Sequence, residues 1–390
     1  MKYTLCRAVA VAAAALVTLA GPASAGAGLN TAALDAAVRI TDGDNAAADL
    51  ALVGGDGEVW QGADGDRLTG QPVARNAHYR IGSVSKVFES VVVLQLAAQG
   101  CLDLDAQVRR YLPGVLPPAF DTVTVRELLN HTSGLPAEDE GAPPLTPDQV
   151  IAGRYDYRSF AEDVHDTLFP DLTERPAPGP HFAPGTRQEY SSFAYRVAGL
   201  LIERVTGHSF AEEVRDRITG PLGMHETSVP ERDPRIPTPY LHGYYTGSNG
   251  SVVDVSEQAG LPSTIISTPA EVDRFLVAVL HGDLLPPAQQ QLLFTMPVGP
   301  DGRLLCDVAT GGPGTQCFSD GGLMSTRMPD GTVLWGKTGH DIGYASGVFA
   351  TRDLSRHGVY AVSRIAEDNG AAPALAQRIG AAAFAKPQGG

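Results

Sequence analysis

The chain has 390 residues, a formal net charge of −15 at neutral pH from 44 acidic against 29 basic side chains, and 43 % hydrophobic residues. That length and apolar content support a sizeable core in one large or two intergrown domains. The acidic balance disfavours a grip on nucleic acid or on an anionic membrane surface, so a small-molecule or peptide substrate is the expected partner.

Taken in chain order, Lys2 and Arg7 precede an apolar run from Ala8 to Ala20, followed by Gly21, Pro22 and the small triplet Ala23-Ser24-Ala25. This layout predicts an export signal over 1–25 and a mature start at Gly26. The run is well short of the ~20 apolar residues that span a bilayer, so no stable membrane anchor is expected. Cys6 precedes the run, the wrong place for a lipid-modified cysteine. Secretion to an extracellular or periplasm-like space follows, and loss of Lys2 and Arg7 would leave 365 residues carrying −17. Of the three remaining cysteines, Cys306 and Cys317 are the nearest pair in sequence, and an odd count in an oxidising compartment predicts one bridge and one spare thiol. Neither a C-x-x-C nor an H-E-x-x-H motif occurs, so neither metal nor cofactor is expected.

Ala46–Val53 and Glu58–Gln61 read as strands joined by the turn-former Gly54-Gly55-Asp56-Gly57. Ser83 then opens an apolar segment, Val84, Val87, Val91–Leu94 and Leu96, that predicts a helix buried on most sides and stopped at Gly100. From Asp103 to Pro297 helical stretches alternate with Pro-rich loops, notably 136–147 and 170–184. One helix start within it shows Thr268, Pro269 and Glu271 as N-cap, first-turn proline and capping-box acid. Strand patterns return at Thr332–Gly336, Ser346–Thr351 and Gly358–Ser363, the first preceded by the hairpin signal Asp330-Gly331. An Ala-rich helix over Ala371–Phe384 closes the chain. The expected fold class is α/β in the α+β sense. An antiparallel sheet is built from N- and C-terminal segments, 26–102 and 298–390, and flanked by helices, with a mostly helical domain, 103–297, inserted between them.

Ser83-Val84-Ser85-Lys86 carries the first chemical signal. Positions i and i+3 share a helix face, so Lys86 can bring its amine to the Ser83 hydroxyl while Ser85 points elsewhere. A serine hydroxyl needs such a base to attack, and a helix start offers free N–H groups to developing negative charge. Alone, this motif is common on solvated helices. It is followed in order by Leu128-Leu129-Asn130-His131-Thr132-Ser133-Gly134-Leu135-Pro136, by Pro184-Gly185-Thr186-Arg187-Gln188-Glu189-Tyr190-Ser191-Ser192, by Gly199–Glu203 with Thr206-Gly207, by Pro221–Met224, and by Gly336-Lys337-Thr338-Gly339.

With these motifs the sequence resembles the serine β-lactamase-like, penicillin-binding family, which includes class C β-lactamases, D-Ala-D-Ala carboxypeptidases, D-aminopeptidases and related esterases. There S-x-x-K is followed by Y-x-N and then K-T-G or H-x-G; here Tyr190 lies 107 residues after Ser83 and Lys337 lies 147 after Tyr190. The resemblance runs from Tyr79 to Phe349. It implies a β-lactamase/transpeptidase-like fold and an acyl-enzyme on Ser83, with Lys86 and Tyr190 moving the proton and Lys337 supplying positive charge. It further implies that Lys337, Thr338 and Gly339 line the substrate strand, and that the backbone N–H groups of Ser83 and His340 form an oxyanion hole. His131 is implied to be scaffold, and the His340 imidazole a cleft-edge group. One position departs: Ser192 stands where the motif has asparagine, which removes an amide donor from substrate recognition and puts β-lactam turnover in doubt. Trp60, Tyr244 and Tyr245 are candidates for a cleft wall, with core filling the alternative. The leading expectation is a secreted D-Ala-D-Ala carboxypeptidase acting on cell-wall peptides. The β-lactamase, esterase, D-aminopeptidase and biosynthetic transacylase branches, and a slowly acylated penicillin-binding sensor, are the rivals. Acyl donor, acceptor and oligomeric state stay open.

Overall fold

The structure is a computed structural model and describes residues 28–136, 144–169, 178–312, 314–365 and 374–385. Much of the two Pro-rich loops, and the expected export signal, lie outside those residues. The centre is an antiparallel sheet built from β1 (Ala46–Gly55), β2 (Glu58–Asp64), β3 (Gln316–Phe318), β4 (Met324–Arg327), β5 (Val333–Asp341), β6 (Tyr344–Thr351) and β7 (His357–Arg364), in spatial order β2-β1-β7-β6-β5-β4-β3. N- and C-terminal strands meet at the β1–β7 seam, where Leu50 opposes Ala361 and Val53 opposes Gly358.

The β1–β2 hairpin is tighter than the sequence suggests. Gly54 and Gly55 stay in the strand, and only Asp56 and Gly57 turn, both with positive φ, the geometry that matches the twist of paired strands. Strand β1 is buried on both faces because helices cover both. On one face Ala48 and Leu50 join the main core; on the other Ala51 and Val53 join a smaller cluster with Leu34 of α1 (Thr31–Ala37) and with Leu375 and Ile379 of the C-terminal helix Ala374–Phe384. Trp60 belongs to that second cluster and donates its indole N–H to Asp35 at 3.0 Å.

The main core is organised by α2 (Ser85–Ala98), which is apolar around its circumference and correspondingly buried from Val87 to Leu96. It packs on α3 (Ser192–Thr206) and on α4 (Pro269–His281), where Phe88 stacks on Phe275 with centroids 3.7 Å apart. Although α4 falls within 103–297, it lies against β1, β6 and β7. The C-terminal helix, α5 (Ala374–Phe384), lies on the opposite face against β7 and α1.

Two local expectations are corrected. Thr268 occupies the N-cap position of α4 but makes no side-chain cap. Glu271, buried, instead accepts from the Glu226 N–H at 3.0 Å and from the Thr227 hydroxyl at 2.6 Å, because a buried carboxylate is best satisfied by the strongest donors around it, here distant in sequence. Cys306 and Cys317, the nearest pair, whose bridging the sequence leaves open, form a disulfide, but the spare thiol is not found: no described cysteine is free, Cys101 being disulfide-bonded as well. The strands β3 and β4 were not legible, each being only three or four residues long.

The outer helical layer is tied down by one ion pair. Arg378 of α5 donates to both carboxylate oxygens of Asp44, at 2.6 and 2.8 Å, and to the Arg39 carbonyl at 3.1 Å. The Arg378 hydrogen bond is the main reason the Asp44 carboxyl is held well below the usual carboxylate range, against the opposing effect of burial. A depressed carboxyl stabilises the fold fully above its unfolded pKa, and that contribution is lost as pH falls below it. Asp44→Asn is therefore expected to cost about 2 kcal/mol in urea unfolding at neutral pH, with the difference from wild type shrinking as the medium is acidified below the ordinary carboxylate range.

Candidate active site

Ile81 leads into a single 3-10 turn, Gly82–Val84, that delivers the chain into α2. Gly82 has φ +52, and a Cβ there would stand 2.4 Å from the His340 carbonyl oxygen and 2.6 Å from its nitrogen. Gly339 makes the reciprocal approach: a Cβ on it would lie 2.0 Å from the Ile81 carbonyl oxygen. The two bare backbones let β5 press against the turn that carries Ser83, and the Ser346 hydroxyl clamps it by donating to the Ile81 carbonyl at 2.9 Å.

Into this junction the structure brings Ser83, Lys86, Tyr190 and Lys337. Lys86 donates from Nζ to Ser83 Oγ at 3.2 Å, the i to i+3 contact expected from helix geometry. The Tyr190 hydroxyl donates to the same Oγ at 3.0 Å. Lys337 is buried, donates to the Thr338 carbonyl at 2.9 Å and holds its ammonium 4.9 Å from the centre of the Tyr190 ring; Lys86 approaches that ring at 5.7 Å. Burial of the Tyr190 hydroxyl would raise its pKa. The charges of Lys337 and then Lys86, with hydrogen bonds to Ser83 and Ser192, outweigh it and bring the phenol down to about 7. Burial lowers the Lys337 ammonium in turn, with the Tyr190 charge pulling the other way. The ring itself remains 42 % exposed toward the cleft. A phenol poised near neutrality beside a serine hydroxyl is a competent proton acceptor and donor.

His131 is placed otherwise. Its backbone sits at φ +59, its ring packs between Tyr190, Tyr195 and Phe318, and Nδ1 accepts the Ser191 N–H at 3.2 Å. Burial first, then Lys337 and Lys86, hold it well below the usual imidazole range, so it stays neutral and fixes the Tyr190 segment in place. Ser192, at the start of α3, is close enough to bond the Tyr190 phenol.

Thr338, Gly339 and His340 lie along the cleft wall with Ser192. Strand β5 pairs with β4 only from Val333 to Gly336, whereas on its other side it pairs with β6 throughout; among the described residues Lys337–Asp341 therefore present an open edge to the cleft. Such an edge can hydrogen-bond an extended backbone laid beside it. The cleft has a volume of about 450 Å³, and its far wall is formed by Leu261, Ser263 and Thr264. Trp60, Tyr244 and Tyr245 do not line it; Tyr244 is buried and donates to Asp66 at 2.6 Å.

Sequence reasoning missed Arg196, Asp341 and Phe318, all in the cleft lining. Arg196 had a usable signal, since it follows Ser192 by four residues on α3 and so shares its face. Asp341 follows His340 directly and lies near Arg80, Arg196 and His340, yet burial dominates and raises its carboxyl. Among the described residues no group of three or more His, Cys, Asp and Glu side chains is placed to hold a metal ion, and no helix is long and apolar enough to cross a membrane.

The chain is similar to several known proteins. Esterase EstB of Burkholderia gladioli is 36 % identical over 204 residues, 50 % of this chain and 50 % of its own length. Penicillin-binding protein 4 of Amycolatopsis lactamdurans is 31 % identical over 238 residues, 58 % of this chain and 57 % of its own. The chain thus spans about half the length of the curated relatives it matches. A solved D-stereospecific amidohydrolase from Streptomyces sp. superposes with a TM-score of 0.75 at 28 % identity, covering 91 % of this chain and 98 % of that one. The family model described as Beta-lactamase matches residues 32–384, and the chain belongs to that family.

Proposed function

We propose that the protein is an exported serine hydrolase that works through an acyl-enzyme on Ser83, with D-alanyl peptides of the D-Ala-D-Ala carboxypeptidase type as its leading substrate class. The observation that carries this reading is the pair of contacts on Ser83 Oγ, from Lys86 and from a Tyr190 phenol brought near neutrality by two lysines. As Ser83 Oγ bonds to the scissile carbonyl carbon, its proton passes to the Tyr190 phenolate. The carbonyl oxygen becomes an oxyanion facing the backbone N–H groups of Ser83 and His340. When the tetrahedral state collapses, the carbon–nitrogen or carbon–oxygen bond breaks and Tyr190 returns the proton to the leaving group. Water then repeats the sequence on the acyl-enzyme, and Ser83 is regenerated. The open edge at Lys337–Asp341 supports a peptide reading, because it offers main-chain pairing beside the nucleophile. Lys337 and Thr338 would meet the terminal carboxylate, and cell-wall peptides are the natural donor for an exported enzyme of this family.

A second reading, ester hydrolysis, is favoured by Ser192. Its hydroxyl lies near the Tyr190 phenol and is a minor contributor to lowering it, and the side chain lacks the amide that would recognise a peptide acyl group. The relative EstB is described as an esterase, which fits that branch.

D-Alanine release from a peptide ending in D-Ala-D-Ala, run beside a simple aryl ester with Ser83→Ala as control, separates the two. Serine-dependent D-alanine release establishes the peptidase, ester cleavage without it moves the protein to the esterase branch, and activity surviving in Ser83→Ala removes Ser83 as nucleophile. Tyr190→Phe is expected to lower kcat/KM by roughly 10²- to 10⁴-fold, the usual worth of a positioned acid–base group. Because the phenolate is the reactive form, kcat/KM should rise with pH through about 7 and then level; Lys337→Met should move that limb to higher pH by removing a cation from the ring. Gly339→Ala should lower kcat by about 100-fold with the fold retained by circular dichroism, since displacing β5 misplaces the carbonyl against Ser83.

A further inference from the structure

The active cleft does not end at β5. A second cavity, of about 860 Å³, opens between the sheet and the C-terminal helix α5, and it shares three walls with the cleft: Gln316, Thr338 and Tyr360. The rest of its lining is of another character. Met324, Leu334 and Phe349 rise from β4, β5 and β6 in a small apolar cluster, and Ile379 and Phe384 line the cavity from α5. Its volume lies in the range of about 300–1,000 Å³ typical of small-molecule sites. The two arginines in the lining are already committed, Arg378 to Asp44 and Arg327 to the Ala309 and Gly311 carbonyls, and none of the described lining residues is acidic. Nothing in this lining calls for a charged ligand.

The helix side of the cavity is cut back by small residues, Ala376, Gly380 and Ala383. Gly380 is the telling one. It sits inside a helix, where glycine is costly relative to alanine, and a Cβ added there would meet no atom of the described residues within 4 Å. Neither backbone strain nor close packing explains glycine at this position, and its effect is open space.

We propose that this apolar groove, continuous with the catalytic cleft through Gln316, Thr338 and Tyr360, binds the hydrocarbon chain of an ester or amide whose carbonyl lies at Ser83. The inference rests on the serine hydrolase reading and specifies its substrate as one carrying an uncharged aliphatic chain. The committed occupant is that chain, because the groove opens into the site where bonds are cleaved.

The test uses the full chain with p-nitrophenyl esters from acetate to decanoate and with alkyl acetates of matching length. In at least one series kcat/KM should rise about two- to fourfold per methylene over several carbons, as expected for apolar surface entering a dry groove. Gly380→Trp, which fills the open space, should cut the decanoate or decyl rate by at least about tenfold while leaving p-nitrophenyl acetate within about twofold; Gly380→Ala should preserve the length dependence. Acetate hydrolysis that depends on Ser83 but shows no length dependence, or a dependence untouched by Gly380→Trp, overturns the groove assignment and leaves the hydrolase reading intact. Absence of Ser83-dependent hydrolysis overturns the hydrolase reading. The groove then stands or falls on calorimetric binding of the decanoate ester to Ser83→Ala and its loss in the Ser83→Ala, Gly380→Trp double variant. A change in sedimentation without a change in length dependence would make this face a contact between copies of the chain and overturn the proposal.

Discussion

The contact on which the site depends is the approach of two bare backbones, Gly82 before the nucleophile and Gly339 on β5. Any side chain at either position would drive a carbon to within 2.4 Å of the His340 carbonyl oxygen or 2.0 Å of the Ile81 carbonyl oxygen. The strand would then retreat from the turn. The place of the second cation descends from this closeness: Lys337 reaches the Tyr190 ring because its strand lies against the Ser83 turn. The hydrogen bond from Ser346 to the Ile81 carbonyl, and the buried apolar wall of α2 behind it, keep the junction rigid.

Electrostatics follow from that geometry. Two lysines from separate elements, one on α2 and one on β5, converge on a single phenol, and burial sets the balance. Burial disfavours the phenolate and the Lys337 ammonium alike, yet each charge is the other's best partner. His131 is excluded from acid–base chemistry by the same field: a buried imidazole facing two ammonium groups stays neutral and is left with a structural task. Burial first, and then the two cations, keep His131 neutral, while the same cations bring the Tyr190 phenol down.

The cleft divides along β5 into parts of different chemistry. Its catalytic side is polar and charged, with Arg196, Asp341 and the open strand edge, whereas the face toward α5 is mostly apolar. Ser192 belongs to the first part, lining the cleft with a hydroxyl where the related motif carries an amide. Substrate choice thus rests on the walls around a conserved kind of chemistry, and those walls come from segments far apart in the chain.

The sequence by itself determined what depends on local spacing. The i to i+3 relation of Ser83 and Lys86, the strands at both ends, a turn within Gly54-Gly55-Asp56-Gly57, the Asp330-Gly331 turn and the ordered motifs around Tyr190 and Lys337 are all readable because helix, strand and turn preferences act over a few residues. Cys306 and Cys317 were readable only as the nearest pair, and their bridge was decided by the structure. Only the tertiary structure decided what depends on long-range partners. Glu271 abandoned its local cap for donors at Glu226 and Thr227, and Cys101 did not remain the spare thiol. Strand β4 exists because β5 offers an edge to pair with, and β3 because β4 does, their three or four residues being too few to show alternation. Arg196 and Asp341 carry no motif of their own and enter the cleft through packing, and the groove beneath α5 arises between a sheet face and a helix, so no single stretch of chain encodes it.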